Sequence, residues 1–258
     1  MVKNIILAIH GLGGRGAWFD NLRETLSKAG IELISPDLKG FGTNEPRGHV
    51  DSFHEWVNQI QDIYESLKET SPEARISLIG HSMGAVVLSH IEVDPKDRLI
   101  YSVPGFKGAQ ATFKLSFTLS TLFKLFLDSI PQTISTVFQQ SALPKYSLVK
   151  LPSSQLTKHI TDEDPLKVYD VSPRLLFEIL KMSQGLEARL SKLENPILFL
   201  QVENDLVIDN ARMDELFKLI NSDKKELKML YNTEHDWIWD KNIINEASEI
   251  ILEFLKIN

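Results

Sequence analysis

Short apolar runs alternate with amphipathic stretches along most of the chain. Ile5 to Ile9 is apolar at every position, which predicts a strand covered on both faces, as a parallel sheet requires. The stretch from Ala17 to Ala29 places Trp18, Leu22 and Leu26 on one helical face. Ile31 to Ile34 predicts a second strand, ended by Pro36, and Phe53, Val57, Ile60, Tyr64 and Leu67 then recur at helical spacing. Ile76 to Ile79 predicts a third strand, followed at once by a helix from Met83 to Ile91, and Leu99 to Val103 a fourth strand. The pattern resumes near the C-terminus with a strand from Ile197 to Val202, entered through Asn195-Pro196. A helix striped by Met213, Leu216, Phe217 and Ile220 follows, then a strand from Leu227 to Tyr231 and a helix striped by Ile243, Ala247, Ile250 and Phe254. Strands alternating with helices in this way predict an α/β fold: a mostly parallel sheet of about six strands with helices on both faces.

The middle of the chain breaks the pattern. Between Pro104 and about Asn195 there is no buried-strand run, and Pro131, Pro144, Pro152, Pro165 and Pro173 divide the segment into short pieces. Phe113, Leu115, Phe117, Leu119, Leu122, Phe123, Phe126 and Leu127 crowd one part of it. A helical cap inserted over the sheet accounts for this better than a second independent domain. The expected division is a core of residues 1–103 and 195–258 with a cap of residues 104–194. The last piece, Ser172 to Leu193, reads as one capped helix with Ser172 at the N-cap and Pro173 in the first position.

Composition narrows the function classes. A chain of 258 residues with net charge −7, its charges interspersed, would be repelled by phosphate backbones, which argues against a nucleic-acid partner. Without cysteine, disulfides and thiolate zinc sites are excluded, and a reducing compartment fits. The apolar run after Met1-Val2-Lys3-Asn4 is too short for a signal-peptide core, and Lys114, Lys124 and Asp128 interrupt the most apolar region, Phe113 to Ile130. The expectation is a cytoplasmic protein.

The sharpest motif is Gly80-His81-Ser82-Met83-Gly84, set between a predicted strand and a predicted helix. A nucleophile on a sharp turn needs very small neighbours two residues to either side, and Gly80 and Gly84 leave that room. The N–H groups opening the next helix would face developing negative charge. An N-capping serine would need neither glycine. Because a serine hydroxyl is a weak nucleophile, it requires a base. His235 follows the last predicted strand, where a parallel sheet gathers functional groups. His49, His54, His90 and His159 lack such an address, and His81 is expected to pack beside the nucleophile. Asp205, just beyond the strand ending at Val202, is the candidate acid that orients His235, with Asp209 as runner-up. Leu12 and Met83 are the candidate oxyanion N–H donors, with His10 and Gly11 supporting the loop.

One rival reading is local. Gly11, Gly13 and Gly16 satisfy the dinucleotide pattern Gly-x-Gly-x-x-Gly, and Asp37 follows the next strand where a ribose-binding acid would stand. That reading leaves Ser82, Asp205 and His235 without a role, so no cofactor and no metal are expected.

Taken together, these residues resemble the α/β-hydrolase superfamily, most closely esterases of the monoacylglycerol lipase and lysophospholipase-like type. The match runs through Ile9-His10-Gly11, Asp37 to Asn44, the serine turn, Asp205 and His235. The Asp37 segment is similar to the family's structural Asp-x-x-Gly-x-Gly loop. Leu122 to Pro131 resembles its apolar cap helix, and Leu156-Thr157 with Asp164-Pro165 its cap motif. The early antiparallel strands of the superfamily have no counterpart, and Val202 and Asn232 stand where glycine is common. The resemblance implies hydrolysis of a carboxylic ester through an acyl-enzyme. The apolar cap favours a monoacylglycerol or similar medium-chain ester, with transient contact at a membrane or micelle surface. A short-chain or aryl ester, a carbon–carbon bond or an amide on the same scaffold stays open, as does a hydrolase fold that only binds a ligand.

Overall fold

The computed structural model describes residues 3–105, 146–147 and 164–256. In chain order the described strands are β1 (Asn4–Ile9), β2 (Ile31–Ile34), β3 (Arg75–His81), β4 (Arg98–Ser102), β5 (Tyr146–Ser147), β6 (Asp170–Val171), β7 (Ile197–Val202) and β8 (Lys225–Leu230). The described α-helices are α1 (Asp20–Ser27), α2 (His54–Thr70), α3 (Met83–Leu88), α4 (Pro173–Met182), α5 (Leu186–Leu190), α6 (Asn210–Leu219) and α7 (Ile243–Lys256). Six strands form one sheet in the spatial order β2-β1-β3-β4-β7-β8, and every pairing in it is parallel.

The continuous apolar runs follow from covering both faces. On β1, Leu7 and Ile9 pack with α2 through α6, while Ile6 and Ala8 face α1 and α7. On β7, Ile197 and Phe199 enter the first of these cores, and Leu198, Leu200 and Val202 the second. The chain starts at β1, steps to β2 on one side, and then crosses to β3 on the other. Strand order therefore reverses between β1 and β3, and the crevice beyond their C-terminal ends is where open α/β sheets bind ligands.

Several elements differ from expectation in instructive ways. The stretch read as one helix from Ala17 opens with a single 3-10 turn, Gly16–Phe19, before α1 begins. The last strand starts earlier than Leu227, at Lys225, and is only partly buried until Leu230 because it is a sheet edge. The Lys225 Nζ donates to the carbonyls of Phe217 (3.2 Å) and Ile220 (2.6 Å) at the end of α6, so its charge stays solvated by peptide oxygens. Ser172 caps α4 by accepting from the Leu175 N–H, as read from the sequence. The segment to Leu193 is nevertheless two helices, broken at Gly185, which takes the left-handed φ of 70°. Their Leu175, Met182, Leu186 and Leu190 are buried in the core that also holds α2 and α3. Within the stretch read as strandless, β5 and β6 pair antiparallel over two residues each. The apolar run around Phe113 to Ile130, the Leu122 to Pro131 and Leu156-Thr157 motifs, and His159 lie outside the described residues.

Candidate active site

Ser82 sits between β3 and α3 with φ 54° and ψ −117°, a conformation that non-glycine residues adopt at a cost of about 1–3 kcal/mol. Three hydrogen bonds hold it there. The Ser82 N–H donates to the Ser102 carbonyl at 2.9 Å, and the Ser82 carbonyl accepts from the Gly105 N–H (2.9 Å) and the Ala85 N–H (3.0 Å). The flanking glycines are required, although for a reason one step removed from the serine. A Cβ on Gly80 would lie 2.5 Å from the Gly84 carbonyl oxygen, and one on Gly84 would lie 2.2 Å from the Ile9 carbonyl oxygen. The glycines let α3 start flush against β1 and β3, and that contact tips Ser82 out of the sheet.

His235 lies in the loop after β8 and bridges two partners. Its Nδ1 donates to Asp205 Oδ2 at 2.8 Å, since a carboxylate can only accept, and its Nε2 is left to accept the Ser82 hydroxyl at 2.8 Å. Asp205 Oδ1 accepts the Val207 and Ile208 N–H groups, both at 2.8 Å, and so the carboxylate is aimed by the backbone of its own loop. Burial alone pushes the His235 imidazole down. The Asp205 hydrogen bond and the charges of Asp205 and Asp236 outweigh it, and the net shift is upward. Asn232, ahead of His235, takes a left-handed φ of 54°, which asparagine tolerates. The runner-up Asp209 is instead the N-cap of α6, accepting from the Arg212 N–H.

The loop after β1 runs beside the serine: a Cβ on Gly11 would come within 3.1 Å of the Ser82 Cβ. His10 fixes this loop. Its Nε2 accepts the Leu38 N–H at 2.9 Å and its Nδ1 donates to the Gly11 carbonyl at 2.8 Å. Burial pushes this imidazole down to about 4, so it stays neutral. Asp37 is committed to the backbone as well, accepting from Gly16 N–H (2.8 Å) and Thr43 N–H (3.2 Å). A carboxylate spent in this way has no ribose to hold, which removes the physical basis of the dinucleotide reading. Asp164 accepts from Arg15 Nε and from Trp18 Nε1, and the Val168 N–H donates to the Gly13 carbonyl. The Asp164-Pro165 segment is thereby tied to the same loop.

Leu12 lies in that loop and Met83 opens α3 directly after Ser82, so both backbones flank the serine. Among the described residues, neither the Leu12 nor the Met83 N–H donates to a protein acceptor. His81, His235 and Asp236 bring one donor atom each within 4.8 Å of one another, a spacing that could hold a metal ion, though Ser82 and Asp205 already engage both nitrogens of His235. Sequence reasoning missed Gly105, whose N–H supports the turn, and Ser102, whose side chain bonds to His81. A glycine soon after a predicted strand was the faint signal for the first. For the second there was none.

A serine on a strained strand-to-helix turn, bonded to a histidine that is bonded to an aspartate, at the switch point of a parallel sheet, defines an α/β-hydrolase. A family model described as "Serine aminopeptidase, S33" matches residues 1–242, and the chain belongs to that family. It is 26% identical over 247 residues to a human protein described as monoglyceride lipase, covering 90% of this chain and 75% of that one. To a thermostable monoacylglycerol lipase of Bacillus sp. strain H-257 it is 24% identical over 231 residues, covering 89% and 82%. Among solved structures, the monoacylglycerol lipase of Paleococcus ferrophilus superposes with a TM-score of 0.76 at 20% identity, covering 97% of this chain and 93% of that one. The resemblance read from the residues, to α/β-hydrolase esterases of the monoacylglycerol lipase type, is borne out.

Proposed function

We propose that this chain hydrolyses lipid-like carboxylic esters, a monoacylglycerol with a medium acyl chain being the favoured substrate, through an acyl-enzyme on Ser82. One observation carries the chemistry: His235 bridges Ser82 Oγ and Asp205 Oδ2 at 2.8 Å each. In this reading Ser82 Oγ attacks the ester carbonyl carbon while its proton passes to His235 Nε2. Asp205 accepts from Nδ1 throughout and stabilises the imidazolium. The carbonyl oxygen, now an anion, is received by the N–H groups of Leu12 and Met83. Collapse expels the alcohol, which takes the proton from Nε2. Water then gives a proton to the same nitrogen, attacks the acyl carbon and releases the acid and a regenerated Ser82. The relatives described as monoglyceride lipases support the ester and the lipid-like substrate.

The Ser82→Ala variant is expected to lose at least about a thousandfold in kcat on p-nitrophenyl butyrate while keeping its thermal midpoint. It should also lose labelling by a fluorophosphonate probe. Turnover equal to the parent would refute the assignment. Rates across p-nitrophenyl esters of rising chain length, and on 1-monoacylglycerols, test the substrate, and a sharp optimum at acetate would refute the lipid-like reading. The family description also favours an amide-cleaving reading. Amino-acyl p-nitroanilides are the matching probe, and turnover of those above that of esters would replace the proposal.

A further inference from the structure

Behind His235, on the face of the sheet that carries α1 and α7, lies a chain of polar groups that the reaction as written does not use. Trp237 Nε1 is a donor only, and it donates to Ser102 Oγ at 2.9 Å. The Ser102 hydroxyl then has its own proton to give, and His81 Nδ1 stands 3.1 Å away to accept it. With Nδ1 accepting, the proton of the neutral His81 ring must sit on Nε2. That atom is buried without a hydrogen-bond partner, and it faces Asp236 Oδ1 at 3.8 Å. The donor sequence runs one way, from Trp237 through Ser102 and His81 toward the Asp236 carboxylate.

Asp236 directly follows His235 in the chain, and its side chain is only 24% exposed. Its carboxylate lies within 4.8 Å of a His235 nitrogen and of a His81 nitrogen. The His81 and His235 rings are 5.5 Å apart, centre to centre. His235 thus has two anions beside it: Asp205, hydrogen-bonded from the loop after β7, and Asp236, close but unbonded, from its own loop.

We propose that Asp236 is a second positioning carboxylate for His235, stabilising the imidazolium that forms during acyl transfer, and that Trp237, Ser102 and His81 hold it in place. This rests on His235 being the base. The groups facing the imidazole are Asp205, Asp236 and His81, and those facing Asp236 are His81, His235 and Lys167. Burial pushes His81 down and keeps it neutral, and so it offers Asp236 an N–H without cancelling its charge. Burial would push Asp236 up, but His81, His235 and Lys167 together bring it below the ordinary carboxylate range.

The sign follows from removing that anion. With less negative charge nearby, the imidazolium is less favoured, His235 releases its proton at lower pH, and the base stays competent further into acid. A unit charge within 4.8 Å, at an effective dielectric of about 50 for a carboxylate side chain 24% exposed, corresponds to about one pH unit. The experiment compares the parent with D236N and D236E. The His235 imidazole is titrated by NMR, and the acid limb of kcat/KM on p-nitrophenyl butyrate is measured alongside. D236N is expected to lower the His235 titration midpoint and move the acid limb down by about one unit, with D236E restoring most of it. H81Q, which keeps an N–H donor but not the ring, should shift both in the same direction by less. Superimposable titrations of parent and D236N would overturn the proposal. If S82A retained parental turnover, the catalytic reading would fall instead, while the NMR titration would still decide whether Asp236 acts on His235.

Discussion

Replacing Gly84 by alanine adds one methyl group where α3 meets the end of β1. A Cβ there would sit 2.2 Å from the Ile9 carbonyl oxygen and 2.7 Å from that of His10. An ordinary carbon–oxygen contact is about 3.3 Å, so α3 and β1 must part by about 1 Å. Both neighbours are backbone in paired or buried elements, and no flexible side chain can absorb the shift. Overpacking of this kind costs about 1–3 kcal/mol, which for a chain of this size lowers the melting midpoint by roughly 3–10 °C. The same displacement moves Ser82, at the N-terminus of α3, away from His235 and from the loop bearing Leu12. Misplacing reacting groups by about 1 Å costs roughly a hundredfold in rate. Differential scanning fluorimetry and kcat on p-nitrophenyl butyrate check both numbers on one sample. A G84A protein with parental midpoint and parental kcat would refute the steric account of the turn.

D205N should cut kcat by about ten-thousandfold with little change in KM. The Val207 and Ile208 N–H groups would keep the amide oxygen of the variant, leaving its NH2 to face the imidazole and forcing the wrong tautomer. Activity within tenfold of the parent would refute that role. His10, held neutral in the fold with its imidazole pushed down to about 4, links stability to acid. Its contribution is fully present above pH ~6.5 and is lost as pH falls toward 4, because the unfolded chain gains a proton that the folded one refuses. The loss amounts to about 3 kcal/mol, read as a drop in urea midpoint between pH 7 and 4 that is smaller in H10N. An equal drop in both proteins would show that other groups carry the acid sensitivity.

The elements that were legible in the sequence are those whose signal is local. Ile197–Val202, buried at every position and apolar at all but Gln201, could be read to the residue, and so could Ile31–Ile34, whose apolar positions flank Glu32 and lie between Gly30 and Pro36. The other edge strand, β8, could not, because partial burial at every position before Leu230 blurs the pattern and Lys225 finds its partners on α6. Gly185 falls inside the stretch read as one helix. Its left-handed turn is set by how α4 and α5 both reach the core.

The site divides along the same line. The sequence by itself marked the candidate nucleophile, since two glycines two residues either side of a serine, between strand and helix, form a local pattern, although the contact that requires Gly84 is with the distant β1. It could rank Asp205 over Asp209 and single out His235 only by their positions after strands. Tertiary structure decided between them, because a hydrogen bond between residues 30 positions apart depends on where β7 and β8 end side by side. Only the folded chain puts Asp236, His81, Ser102 and Trp237 together, drawn from β3, β4 and the His235 loop. No periodicity encodes that cluster. It exists because the parallel strands finish at one edge, and groups distant in sequence become neighbours there.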